Sequence, residues 1–269
     1  MIWEHKMFHP GSYTILPSGK VELIFPIFPV GSLEAVKIAP SDNPVNKYSF
    51  FISGLHTRPL KMTFNQFHTF GIQMKPVVIK ALFGMPLCEI RDYFVEGAMV
   101  LDTSNQIEDQ IHSNKSFLEK AQWVENFILR KVNETADFHT AIHLDKAIRN
   151  YVLQKQNGPT KSIQDLMGYS RTQTYRLFNE WFGVSAHSYQ QLLQFIQSVH
   201  TLHNRNKKLI DVGLDTGYYD QSHFIRSFQE FTGMTPGEYR HLMTELPGQI
   251  FSTVEQEEVL LNPAEQLIV

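Results

Sequence analysis

Two stretches of the chain set hydrogen-bonding side chains at a repeated spacing. Arg171–Phe182 reads RTQTYRLFNEWF and Gln221–Thr232 reads QSHFIRSFQEFT. Wound as a helix, the first puts Thr174, Leu177, Phe178 and Trp181 on one face and Thr172, Gln173, Arg176 and Asn179 on the other. The second gathers Phe224, Phe228 and Phe231, and turns Gln221, Ser222, Ile225, Arg226 and Gln229 away from them. A guanidinium can give two parallel hydrogen bonds to the acceptor edge of a guanine, a carboxamide fits adenine, and hydroxyls suit phosphate oxygens. Isolated mid-helix arginines are usually solvated. Arg176 and Arg226 occupy matching places in two copies, which favours a base or phosphate contact. His223 fits either a phosphate contact or a packing role.

The flanking elements are what would position these faces. Ahead of the first copy, SIQDLMGYS carries Ile163, Leu166 and Met167 on a short helix, then a Gly168-Tyr169 turn and the capping residue Ser170. Ahead of the second, LIDVGLDTGYYD carries Ile210, Val212 and Leu214, with Gly213 mid-helix, a Gly217-Tyr218 turn and Asp220 as cap. Both copies end at a glycine, Gly183 and Gly233, and Thr235-Pro-Gly-Glu238 is a capping box that opens one more helix. A short helix, a glycine turn and a longer helix make a helix-turn-helix, whose second helix is sized for a major groove. Between the copies, SAHSYQQLLQFIQSVHTLHN repeats Tyr189, Leu192, Ile196 and Val199 at helical period, so one long helix is expected to join the two units.

The charge map agrees with this placement. The chain of 269 residues has a net charge of −3, which by itself argues against a polyanion partner. Residues 1–138 hold 13 Lys or Arg against 14 Asp or Glu, whereas residues 139–242 hold 11 against 8 with seven histidines, a local surplus that permits one. Residues 243–269 hold five carboxylates and no Lys or Arg, and are expected to form a flexible acidic tail or a short docked helix. At 42% hydrophobic and 19% charged the chain is globular rather than disordered. No apolar run is long enough to span a bilayer and the N-terminus lacks a signal-peptide layout, so a cytoplasmic protein without a membrane partner is expected.

Residues 1–115 read as β-rich. ILPSGKVELIF turns into an alternating Val21, Leu23, Phe25 face; KYSFFISGL, KMTFNQFHTFGIQM and the apolar VVIKALF read as further strands; LFGMPLCEIRDYF reads as less regular and partly helical. Helical spacing begins after Ser116, a plausible N-cap, with Phe117, Ala121, Val124 and Val132 on a linker helix, and Leu144, Ala147, Ile148, Tyr151 and Val152 on the next one.

The run GYYDQSHFIRSFQEFTGMTPGEYR resembles the signature of AraC-type transcriptional regulators, and the resemblance covers residues 141–242. It implies two helix-turn-helix units that enter successive major-groove segments of double-stranded promoter or operator DNA. The recognition helices would be about residues 171–182 and 220–231. It carries DNA contacts onto Thr172, Gln173, Tyr175 and Arg176 in the first unit and onto Gln221, Ser222, His223 and Arg226 in the second. The first unit departs more from the family pattern: Thr174 stands for the usual leucine, Gln164 for a small alanine and Ala186 for a proline, while the second has Gly213 for that alanine. ILPSGKVELIF, FFISGLHTRP and FGIQMKPVVIKALFGMPLCEIRDYF are similar to a domain of some such regulators, which implies a barrel-like regulatory domain.

The fold expected is therefore α+β: a small N-terminal β-barrel or sandwich-like domain over 1–115, a linker helix over 116–138, an all-α DNA-binding domain over 139–242 with two helix-turn-helix units joined by a long helix, and the acidic tail over 243–269. The N-terminal domain would take a small-molecule effector or pair two copies as a homodimer. The rival readings are an enzyme and a DNA-independent interaction module. Alkyl-transfer repair chemistry needs several cysteines and Cys88 is alone. A metal-dependent barrel enzyme would have to draw on His5, His9, His56 and His68, or on the i, i+4 pair His139 and His143, which form no tight cluster in sequence. No glycine-rich phosphate loop or nucleophile elbow is present, so neither a cofactor nor a catalytic residue is expected. An interaction module would leave two polar helix faces without a role.

Overall fold

The computed structural model describes residues 1–7, 11–27, 37–39, 41–44, 50–64, 67–99, 104–113, 115–155, 162–243 and 249–251. The N-terminal strands are β1 (Ile2–Met7), β2 (Gly11–Ile15), β3 (Val21–Pro26), β4 (Lys37–Ala39), β5 (Ser41–Pro44), β6 (Phe51–Ser53), β7 (Leu60–Phe64), β8 (Phe67–Met74) and β9 (Phe94–Glu96). They form two five-stranded sheets, ordered β1-β8-β3-β6-β9 and β10-β2-β7-β4-β5, with β10 being Gln249–Phe251 from the far end of the chain. Every pairing among the described strands is antiparallel, and β3 registers Leu23 opposite Ile72 of β8 and Ile52 of β6. His9 lies outside the described residues.

The alternation in VELIF works as its period demands. Val21, Leu23 and Phe25 are fully buried, and Phe25 stacks on Phe50 at 4.9 Å and meets Phe70 edge-on at 6.4 Å. VVIKALF behaves differently. It is a helix, α1 (Pro76–Phe83), not a strand. A short apolar run does not distinguish the two by periodicity, and Pro76, pre-set at the first helical position after extended Lys75, decides the matter. LFGMPLCEIRDYF supplies one 3-10 turn, Leu87–Glu89, and β9. A further helix, α2 (Ser104–Ile111), follows where no element was expected.

The linker helix is α3 (Phe117–Glu134), opened by a capping box in which Ser116 and Glu119 bind each other's backbone N–H. From there to Leu242 the described chain is helical: α4 (Phe138–Lys155), α5 (Ile163–Met167), α6 (Arg171–Phe182), α7 (Ala186–Leu202), α8 (Leu209–Asp215), α9 (Gln221–Thr232) and α10 (Pro236–Leu242). Buried apolar residues form one continuous cluster from Leu16 and Phe25 of the sheets to Phe228 and Tyr239 of the last helices. The chain is thus an antiparallel sheet domain followed by a helical domain, with the two packed together. Within the C-terminal stretch, Gln249–Phe251 adds a strand to the N-terminal sheet, opposite Ile15, Thr14 and Tyr13, and residues 252–269, where a flexible tail or docked helix was expected, lie outside the described residues.

One buried polar pair has a consequence for stability. His56 and Ser53 are both buried and share a 2.7 Å hydrogen bond through Nε2, while His56 Nδ1 has no hydrogen-bond partner in the structure. Burial lowers the His56 pKa to about 4, against a weaker opposing pull from Asp92. The unfolded chain therefore takes a proton near pH 6.5 that the folded chain refuses until about pH 4. Stability present above pH 6.5 should fall as pH drops through that window, by on the order of 3 kcal/mol. Urea unfolding at pH 7 and pH 4.5 should show this loss, and His56→Gln should flatten it.

Candidate nucleic-acid interface

The two helix-turn-helix units share a local design. In the first, Ser162 and Asp165 box the start of α5, Gly168 ends it in the left-handed conformation, and Ser170 with Gln173 boxes the start of α6. In the second, Gly217 makes the turn at φ 80° and Asp220 caps α9 through the His223 N–H at 2.7 Å. Both long helices run 12 residues, or about three turns, and end at left-handed glycines, Gly183 and Gly233. Each inner face is aromatic. Phe178 stacks on Phe182 at 4.6 Å in the first unit, and Phe224 meets Phe228 at 5.8 Å in the second. The sequence pattern on α8 translates only in part: Val212 and Gly213 are buried, but Ile210 and Leu214 are exposed, because residues two apart do not share a helix face.

The helix α7 ties the units together. Its Tyr189 packs against Phe182 at 4.5 Å, and its Phe195 stacks on Phe231 at 4.7 Å and meets Phe228 at 5.3 Å. Phe195 is fully buried and was not among the stripe residues read from sequence, although it precedes one of them, Ile196.

All the candidate contact residues are on the surface. Thr172, Gln173 and Arg176 are exposed on α6, Tyr175 beside them is 60% exposed, and Gln221, Ser222, His223 and Arg226 are exposed on the first half of α9. Among the described residues, neither Arg176 nor Arg226 makes a hydrogen bond or ion pair, so each guanidinium is open to an incoming acceptor. Two other candidates already have local work. Gln173 Oε1 accepts from the Ser170 N–H at 3.1 Å and hydroxyl at 2.9 Å, leaving its NH₂ as the available donor group. The His223 ring sits edge-on to Tyr218 at 5.3 Å, with Nδ1 facing the Tyr219 N–H at 3.4 Å.

The residues that sequence reasoning missed sit at the other end of α6. Lys80 of α1 is buried, pairs with Glu180 at 3.1 Å and lies over the Trp181 ring at 5.9 Å. Arg91 donates to the Gly183 carbonyl at 3.1 Å. Nearby, Lys75 and Arg149 both bind Asp145 of α4, at 3.0 and 2.6 Å. Burial opposes ionisation of Asp145, yet those two hydrogen bonds outweigh it and hold the carboxyl below its ordinary range. Nothing in the run VVIKALFGMPLCEIRD marks Lys80 or Arg91 as facing a helix a hundred residues on. As for metal ligands, among the described residues no group of three or more His, Cys, Asp or Glu is gathered, and His143 lies against the Tyr169 ring at 5.3 Å. No helix of the described residues is long and apolar enough to cross a membrane.

Residues 164–241, which take in both units, match the family described as a helix-turn-helix domain. The probable transcription factor PqrA of Proteus vulgaris is 25% identical over 89 residues, 33% of this chain and 73% of that protein. The C-terminal part of the chain is thus a helix-turn-helix domain of the AraC type, similar to those of transcription factors. An HTH-type transcriptional regulator of Bacillus subtilis strain 168, YtdP, is 23% identical over 147 residues, 52% of this chain but only 19% of that protein's length. Residues 1–96 match a family described as a domain of unknown function (DUF6597). The crystal structure of ToxT from Vibrio cholerae O395 has the same fold at a TM-score of 0.50 and 11% identity, over 91% of this chain and 98% of that one.

The two closing glycines offer a matched comparison. A Cβ on Gly233 would meet nothing within 4 Å, but one on Gly183 would come within 2.7 Å of the Leu87 carbonyl oxygen, and both sit at φ above +70°. Gly233→Ala should therefore cost only the left-handed backbone penalty, about 1 kcal/mol. Gly183→Ala should cost at least about 1 kcal/mol more, because the contact with residues 87–91 must open. Urea unfolding of both variants measures the difference, and amide exchange at residues 87–91 should rise only in Gly183→Ala.

Proposed function

We propose that α6 and α9 are recognition helices read against successive major-groove segments of one duplex, with Thr172, Gln173, Tyr175, Arg176, Gln221, Ser222, His223 and Arg226 as the contacting residues. The observation that carries this reading is the pair of unpartnered guanidiniums, Arg176 and Arg226, at matching exposed places on two helices that one buried aromatic helix holds together. Phosphate contacts from the basic residues around them supply most of the affinity and its salt dependence, and the two arginines supply base discrimination. Such a protein works where the DNA is, in the cytoplasm.

The N-terminal domain is the regulatory input. Between an effector and a second copy, one observation favours the second copy. On α3, Leu118 and Leu129 are 64% and 62% exposed and lie eleven residues apart, about three turns, on one face. The Phe25, Phe50 and Phe70 rings, meanwhile, fill each other's space in the sheet core.

Selection of random duplexes on the full chain at two salt concentrations should enrich a motif of two blocks about 10 bp apart that survives the higher salt. On the enriched duplex, Arg226→Ala should lose about 10- to 100-fold in discrimination against base changes in one block, with a much smaller loss on random DNA. Equal losses on both would sink the base-contact assignment.

A further inference from the structure

The chain leaves its sheet domain through α3 and α4, builds both helix-turn-helix units, and then comes back. After α10 it returns to the sheets as β10, which lies against α10 and pairs with the outer edge of β2. An unpaired edge presents a row of free backbone donors and acceptors and readily takes an extended segment. Here the segment seated on it is the chain's own Gln249–Phe251, in register with Ile15, Thr14 and Tyr13. The first unit is gripped independently, through Lys80 on Glu180 at 3.1 Å and Arg91 on the Gly183 carbonyl at 3.1 Å.

We propose that the outer edge of β2 is the docking site for the C-terminal strand of the same chain, and that this strap, together with the grip on α6, sets the spacing and rotational phase at which α6 and α9 meet DNA. The proposal rests on the DNA-reading assignment above. The physical argument is one of closure. Without the strap, the second unit is tied to the sheet domain through α7, whose Ile196 side chain lies against Gly19, and bends of α7 beyond that contact change the angle between the two recognition helices. With the strap, the second unit has its own connection to the sheets, and sheets, first unit, α7, second unit and strap form a closed ring. A ring of packed elements has fewer soft rotations than an open chain of the same elements. Gln249–Phe251 thus acts through backbone pairing at a sheet edge.

The test uses the full chain with Gln249→Pro or Ile250→Pro. Alternate residues of a strand donate toward one neighbour, so one of the two variants deletes a ladder N–H. Hydrogen exchange is read at β2, with β3 and β8 as internal controls for an intact fold. The expected result is exchange about ten-fold faster or more at the β2 amides that point toward β10, with β3 and β8 unchanged. Solution mass should not change, and loss of a dimer in the proline variant would show the strand docked on a second copy and overturn the strap. Affinity is then compared between the selected duplex and the same duplex with one base pair inserted between its blocks. The parent should lose about ten-fold or more on insertion and the proline variant about three-fold or less, since one base pair turns the second block by about a tenth of a helical turn. Unchanged β2 exchange, or equal losses on insertion, overturns the proposal. A parent chain that enriches no motif at all counts against the DNA-reading assignment instead, and the exchange measurement still decides whether the strand docks.

Discussion

The aromatic packing along α7 is the constraint on which the rest of the helical domain depends. Tyr189 fits beside Phe182 at 4.5 Å, and Phe195, six residues further on, fits against Phe228 and Phe231. Each recognition helix is thereby anchored by its own C-terminal aromatics to one rigid element about 26 Å long. Moving either anchor along α7 would change the distance between two reading faces and would leave large rings without partners. The cost of such a gap, a few kcal/mol for a buried aromatic, is what keeps the two units in one relation.

The two units share a design but differ in what surrounds them. Gly183 closes against the Leu87 carbonyl and receives Arg91, whereas a side chain at Gly233 would meet open space. The first unit is therefore built into the sheet domain through α1 and the 87–91 turn. Lys80 illustrates how: its ammonium is buried, so it needs both Glu180 and the Gly84 carbonyl, 3.0 Å away, to compensate for lost water. A change in the sheet domain that moves α1 must move the end of α6, or leave that charge unpaired. This is a physical route from the N-terminal domain to the first reading face.

Local grammar carried much of the fold. The caps at Ser116 and Ser170, the box at Thr235–Glu238, the glycines at 168, 183, 217 and 233, and the alternating Val21, Leu23 and Phe25 all depend on a few neighbouring residues, and all appear where the spacing placed them. The polar faces of α6 and α9 were legible for the same reason, since a 3.6-residue period assigns inside and outside without reference to the rest of the molecule. Reading failed where a local pattern was compatible with two structures. VVIKALF suits a strand or a helix by hydrophobicity, and Ile210, Val212 and Leu214 were grouped although a helix sends the middle one elsewhere.

What the sequence by itself determined is the pair of helix-turn-helix units, their spacing helix and the polar residues they leave exposed, because each of these is decided within about twenty residues. Only the tertiary structure decided which segment grips α6, why Gly183 must lack a side chain, and that Gln249–Phe251 completes a sheet begun by Gly11–Ile15. Those contacts join residues about a hundred to more than two hundred positions apart. Their energy comes from closing space and satisfying backbone groups across the fold, and no local periodicity encodes that.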